Sequence, residues 1–179
     1  MKTTAILSSR KTCLSRASAA VLTVILLVAP AMVQAAPNWI IEKNESRGRQ
    51  HLDLVLGFDF DVDTLVPGIW YGIPVLPSGL VPINDSFDIE VGGFVGLGDV
   101  NYVLPAAGPR WSFHFLPTWD MFLTLKLAYL LVDGPGDDLR IGGSLGGDWF
   151  FSERMGLRIE SSSFGRRTSF LTAGLVLGL

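Results

Sequence analysis

Residues 51–62 read HLDLVLGFDFDV. Leu52, Leu54, Leu56, Phe58, Phe60 and Val62 share one parity; His51, Asp53, Asp59 and Asp61 share the other, with only Val55 and Gly57 between them. That is the two-residue period of a β-strand, whereas a helix would scatter both sets around its circumference. A strand from His51 to Val62 is long beside the mode of about 5–6 residues in soluble sheets, and close to the ~9–11 tilted residues that cross a bilayer.

The same rhythm continues downstream. Leu65, Ile69, Tyr71, Ile73 and Val75 predict a second strand, and Phe87, Ile89, Val91, Gly93, Val95 and Leu97 a third. Gly98 to Gly108 reads as a loop, followed by a fourth strand carrying Trp111, Phe113 and Phe115 against Arg110, Ser112 and His114. Trp119, Met121, Leu123, Leu125, Leu127, Tyr129 and Leu131 alternate with Phe122, Thr124, Lys126 and Ala128 in a fifth. The turn cluster 133–138 follows. A sixth strand places Leu139, Ile141, Leu145, Trp149 and Phe151 opposite Arg140, Gly142, Ser144, Gly146 and Asp148; a seventh begins at Met155, and the eighth ends at Leu179. The sum is an all-β chain: eight antiparallel strands in meander order, closing into an up-and-down barrel.

Alternation alone does not say which face meets water, since soluble and membrane barrels are both two-sided. The composition of the polar side decides. A water-facing surface is crowded with Lys and Glu, whereas here Gly142, Ser144, Gly146, Thr124 and Ala128 are typical of it. Small residues suit the interior of a narrow barrel, and the apolar side then faces lipid. Ten intervals from Met121 to Leu131, at about 3.4 Å each and a tilt near 40°, project to roughly 26 Å, against an apolar band of about 25 Å on transmembrane barrels. Phe115, Trp119, Trp149 and Phe151 fall at one rim and Tyr129 at the other, where an interfacial aromatic girdle belongs.

Residues 1–35 read as a signal peptide. Lys2, Arg10, Lys11 and Arg16 form a basic segment without an acid, Ala17 to Val33 an apolar run, and Val33-Gln34-Ala35 a cleavage signal, so cleavage is expected after Ala35. Residues 36–50 read as a periplasmic tether or short extra strand, and 51–179 as the barrel. Cys13, the sole cysteine, leaves with the leader, which excludes a disulfide framework in the exported chain. The mature chain keeps 10 Lys+Arg against 17 Asp+Glu, a net charge of −7. That balance argues against nucleic acid as a partner.

The hairpin WFFSERMGLRIE at residues 149–160, with its short turn and Gly-Leu-Arg-x-Glu, resembles the small eight-stranded outer-membrane barrels of Gram-negative bacteria, the OmpA- and OmpX-like group. The resemblance spans residues 51–179. It implies an outer-membrane location, outer-membrane lipid as the surrounding partner, and insertion by the barrel-assembly machinery, which in such families reads the last strand; here that strand ends in Leu179. The sequence does not specify an oligomeric state.

The inward parity carries the candidate chemistry: Asp53, Asp59, Asp61, Asp88, Glu90, Asp148 and Glu160 against Arg110, Lys126, Arg140 and Arg158. Eight strands enclose a lumen just wide enough for side chains, so these groups are expected to pair as an ion-pair plug, with Phe94, Phe122, Phe150 and Phe170 adding bulk. Asp59-x-Asp61-x-Asp63 opens like a calcium loop, but Thr64 stands where glycine is needed and Trp70 where a bidentate Glu is needed. His51 and His114 are too sparsely accompanied to suggest zinc. Ser112, His114 and Glu90 form an acid-base-nucleophile set of the kind found in barrel-borne lipid hydrolases, but one turned away from lipid. The reading is therefore a non-enzymatic structural or envelope-stabilising barrel without cofactor or metal, with a binding or transport barrel for a small or lipidic ligand, or a barrel-borne lipid-modifying enzyme, as the alternatives.

Overall fold

The computed structural model describes residues 48–132, 136–165 and 168–179. The expected leader and residues 36–47 of the expected tether lie outside the described residues. Eight strands follow one another: β1 (His51–Asp59), β2 (Thr64–Leu76), β3 (Asp85–Gly98), β4 (Tyr102–Leu116), β5 (Trp119–Val132), β6 (Asp138–Phe150), β7 (Met155–Phe164) and β8 (Ser169–Gly178). Each pairs antiparallel with the next, and β1 closes on β8 from His51 opposite Gly178 to Asp59 opposite Phe170. Closure leaves no sheet edge to template aggregation.

The expected faces hold along every strand. Leu54, Leu56, Ile69, Val91, Leu125, Leu127, Ile141 and Ile159 are exposed on the outside, while Asp53, Glu90, Phe122, Lys126, Asp148 and Arg158 are buried inside. An outer wall of Leu, Ile and Val is unstable in water and stable in hydrocarbon. The inner glycines make room: Gly72 pairs with His51, and any side chain there would run into the imidazole.

Two boundaries differ from the periodicity reading. β1 stops at Asp59, and residues 60–63 turn the chain, with Asp63 in the left-handed region (φ 50°); Phe60 and Val62 extend the alternation into the turn without extending the ladder. The stretch from Gly98 to Gly108 is not a loop, because β4 begins at Tyr102. There Tyr102, Leu104 and Ala106 face inward and Val103 and Ala107 outward. Both faces are apolar, so alternation is lost in the sequence there, while Pro105 and Pro109 lie within the β3–β4 pairing.

The lumen divides along its axis. Toward the end formed by the turn at residues 60–63, the connection at 99–101 and the close of β7, an apolar cluster joins Val55, Val66, Trp70, Phe94, Tyr102, Leu104, Ala106, Ala128, Leu130, Phe164 and Phe170. Phe94 meets Phe170 edge-on at 4.4 Å and Trp70 at 5.1 Å between centroids. Toward the end where β1 begins and β8 finishes, the filling is ionic and then gives way to an open vestibule.

Candidate functional site

The ionic region is built from one inward position on each of several strands. Arg158 on β7, with no exposed surface, donates from Nε to Asp148 Oδ1 (2.8 Å) and from Nη2 to Asp148 Oδ2 (3.1 Å), and its Nη1 reaches Asp53 on β1 (2.5 Å) and Glu90 on β3 (3.4 Å). Arg110 on β4 donates to Glu90 Oε1 (3.0 Å) and Asp148 Oδ2 (2.5 Å). Lys126 on β5 lies 2.8 Å from Glu90 Oε2 and 3.8 Å from Glu160 Oε1. Aromatic faces complete the cations' surroundings: both guanidinium groups lie over Phe122, at 4.1 and 4.5 Å from its centroid, and Lys126 Nζ lies 3.5 Å from the Trp70 ring centroid. A planar fork that meets carboxylates from three strands at once fixes their relative register as well as neutralising them.

Of the acidic and basic residues expected to form one inward network, the structure joins Asp53, Glu90, Asp148 and Glu160 to Arg110, Lys126 and Arg158. Four others stand apart. Asp61 is exposed in the β1–β2 turn, where its backbone N–H donates to Asp59 Oδ1 at 3.0 Å; the shortened β1 removes it from the inward parity. Asp59 is buried at the apolar end and accepts from the Tyr102 hydroxyl at 3.0 Å. Arg140 donates to the Phe164 carbonyl (3.2 Å) and to Thr168 Oγ1, tying down the β7–β8 turn, and its Nε lies 3.8 Å from Asp138. Asp88 is buried but forms part of the vestibule wall, and its Oδ1 has no hydrogen-bond partner.

Aromatic rings on the outer wall meet one another near one end of the barrel. Trp119 stacks on Trp149 at 6.3 Å, Trp149 meets Phe151 at 6.4 Å, and Phe115 continues a ladder through Phe113 to Trp111. Tyr129 is exposed at the opposite level. Trp111 also donates its indole N–H to Asp85 Oδ2 (2.7 Å), which accepts the Leu80 amide as well (2.8 Å). Asp85 thus clamps the β2–β3 connection. Periodicity reading missed it because its sequence neighbours look like an ordinary turn.

The vestibule is a cavity of about 910 Å³ at the end of the barrel where β1 begins. His51, Ser86, Asp88, Arg110, His114 and Asp120 are among the residues that line it. His51 Nδ1 donates to the Arg49 carbonyl (3.3 Å), leaving Nε2 to accept from Arg110 Nη1 (3.1 Å). The same Nε2 lies 3.5 Å from both Asp53 and Glu90, so the three residues could between them offer ligands to a metal ion. Arg110 and Arg158 already occupy those carboxylates, and the donor set does not favour a further cation.

The set Ser112, His114 and Glu90 is not assembled. Ser112 Oγ accepts from Arg110 Nε (2.9 Å), and Glu90 is held by Arg110, Lys126 and Arg158. His114 instead contacts Asp120 through Nδ1 (2.8 Å) and Ser86 through Nε2 (3.2 Å).

The fold and the filled, ionic lumen define an eight-stranded transmembrane β-barrel. Among solved structures the chain is similar to a de novo designed transmembrane β-barrel (16% identity, TM-score 0.51, 74% of this chain and 96% of that one). It is also similar to the N-terminal β-barrel domain of Pseudomonas aeruginosa OprF (14% identity, TM-score 0.53, 72% of this chain and 94% of that one). The small eight-stranded barrel expected from the hairpin at residues 149–160 is thus the fold observed. No protein-family model and no curated protein sequence matches the chain.

Proposed function

We propose that this chain is an outer-membrane barrel of a Gram-negative bacterium with a structural, envelope-stabilising role and a lumen closed to ions. The observation that carries this reading is Arg158, fully buried and bound to carboxylates of β1, β3 and β6. A path through the lumen would have to part these groups, and stripping one partner from a buried ion pair costs about 3–5 kcal/mol. The apolar cluster beyond it gives a second barrier, its wall mostly ring and aliphatic surface with little to hydrate a passing ion. The two fillings in series support a plug.

The exposed apolar outer wall and the Trp119–Trp149 stack support membrane residence, with lipid as the surrounding partner and the barrel-assembly machinery as the route of insertion. Cleavage after Ala35 would leave a mature chain beginning at Ala36, which intact-mass measurement of the envelope fraction checks; retained Met1 there would overturn it. Purified protein in planar bilayers is expected to show no stable single-channel steps at neutral pH. Reproducible, protein-dependent conductance would reject the plug and favour transport. The vestibule supports a second reading, a barrel that binds a small or lipidic ligand, for which a ligand co-purifying with the mature protein is the test.

A further inference from the structure

Ser86, His114 and Asp120 lie on three consecutive strands near the vestibule end. The β4–β5 hairpin sets His114 directly opposite Asp120, beside an irregularity in register between His114 and Leu116. β3 then brings Ser86 to the far side of the imidazole. With Nδ1–H donating to Asp120 Oδ1 at 2.8 Å, the unprotonated Nε2 accepts from the Ser86 hydroxyl at 3.2 Å. Nucleophile, base and orienting carboxylate stand in the order and at the separations that nucleophilic acyl transfer requires. All three are buried against protein, at 2%, 3% and 6% exposure, yet all three line the 910 Å³ vestibule. A histidine merely satisfied by its neighbours does not need a cavity against its serine partner.

We propose that Ser86, His114 and Asp120 form a hydrolytic triad acting on short-acyl carboxylic esters that enter the vestibule from water. This goes beyond the plug reading and departs from the non-enzymatic expectation. The substrate class follows from position: the triad faces the lumen, so esters in the bilayer have no direct access, whereas a small soluble ester does. Ser86 Oγ bonds to the acyl carbon while its proton passes to His114 Nε2, and the carbonyl electron pair moves onto the carbonyl oxygen. Collapse of that oxyanion breaks the ester C–O bond, and the departing alkoxide takes the proton from Nε2. Water then attacks the acyl-serine, giving its proton to Nε2, and the second collapse releases the carboxylic acid as Ser86 Oγ recovers that proton. Ser86 and His114 are the catalytic residues. Asp120 is a positioning residue, holding the tautomer and stabilising the transient imidazolium.

The test uses the mature barrel folded in detergent, a fluorophosphonate as a covalent probe of activated serine, and p-nitrophenyl butyrate as substrate. Stoichiometric labelling that peptide mass mapping places on Ser86 is expected, together with ester hydrolysis that the same label abolishes. Ser86→Ala should remove both. Asp120→Asn should slow labelling on the order of 10²–10⁴-fold with the thermal transition of the fold retained, and Asp120→Glu should restore part of the rate. Ser163→Ala, on the outer face, should label as the unmodified protein does. Absence of label on the folded barrel, or label on another serine, overturns the proposal; the mapping needs no variant to fold. Conductance measurements do not bear on this outcome, so the plug and the triad fail separately.

Discussion

At one end of the lumen Phe94, Phe164 and Phe170 pack ring against ring, whereas toward the other Arg110 and Arg158 spread over Phe122 and lock Asp53, Glu90 and Asp148 in place. Both fill the same narrow tube, and they do different things. Ring packing is tolerant in direction, because dispersion and burial depend on area and distance more than on angle. A guanidinium fork is not: Arg158 meets its partners only when β1, β3, β6 and β7 are in register. Since a slip of one residue would turn every inward side chain to lipid, the ionic half specifies the closure that the apolar half then stabilises.

The largest effect is expected where that specificity resides. Arg158→Leu fills similar space but leaves Asp53 with only the His51 imidazole beside it and Asp148 with Arg110 alone, and should cost about 3–5 kcal/mol. The measurement is the urea midpoint of refolding in lipid vesicles. A loss no greater than that of a single apolar truncation at the other end would break the distinction between the two halves.

A second test sharpens it across the wall. Leu125 and Lys126 are neighbours on β5, yet Leu125 is 59% exposed and Lys126 is 1% exposed. A cation one residue away, at Leu125→Arg, has no carboxylates to meet and should cost about 2–4 kcal/mol near the bilayer midplane. Equal tolerance of Leu125→Arg and of the conservative inward change Thr124→Ser would reverse the assignment of faces.

The apolar half should be more forgiving. Val66, with no exposed surface, contributes two methyl groups to the cluster, and Val66→Ala should cost about 1–2 kcal/mol. The rings of Phe94 and Phe170 can shift into part of the space, which no rearrangement of Asp53 and Asp148 can match when their cation is gone. The planar-bilayer recording should stay silent for Val66→Ala, because the cavity created is dry.

How much of this was readable beforehand depended on contrast between adjacent positions. β5 and β6 were clear because Leu and Trp alternate there with Thr, Ser, Gly and charge. β4 was obscured where Leu104 and Ala106 face inward between Val103, Pro105 and Ala107, since apolar residues on both faces cancel the period. Trp70 escaped for the same reason: it lies between the outward Ile69 and Tyr71, and its role beneath Lys126 emerges only when β5 comes round the barrel. The ionic partners were visible as a set of inward charges, but their pairing was not. Arg158 and Asp53 are 105 positions apart and meet through closure of β1 on β8. The His114–Asp120 contact is more accessible, because a hairpin about Leu116-Pro117-Thr118 brings the two into opposition, whereas Ser112 and Glu90, which share the inward parity with His114, are both held by Arg110.

The smallest expected effect tests where the inward face of β1 stops. Asp59 and Asp61 share a parity in sequence, and a strand running to Val62 would have put both in the lumen. The ladder instead ends at Asp59, whose carboxylate is buried and accepts from the Tyr102 hydroxyl and the Asp61 amide. The Asp61 side chain lies exposed in the turn, where water already solvates it. Asp61→Asn should therefore change stability by no more than about 0.5 kcal/mol. Asp59→Asn alters a buried acceptor of two hydrogen bonds and should cost measurably more, on the order of 1–3 kcal/mol. The same urea titration in vesicles reads both variants, and equal losses would mean that the inward face of β1 continues past Asp59 into the turn.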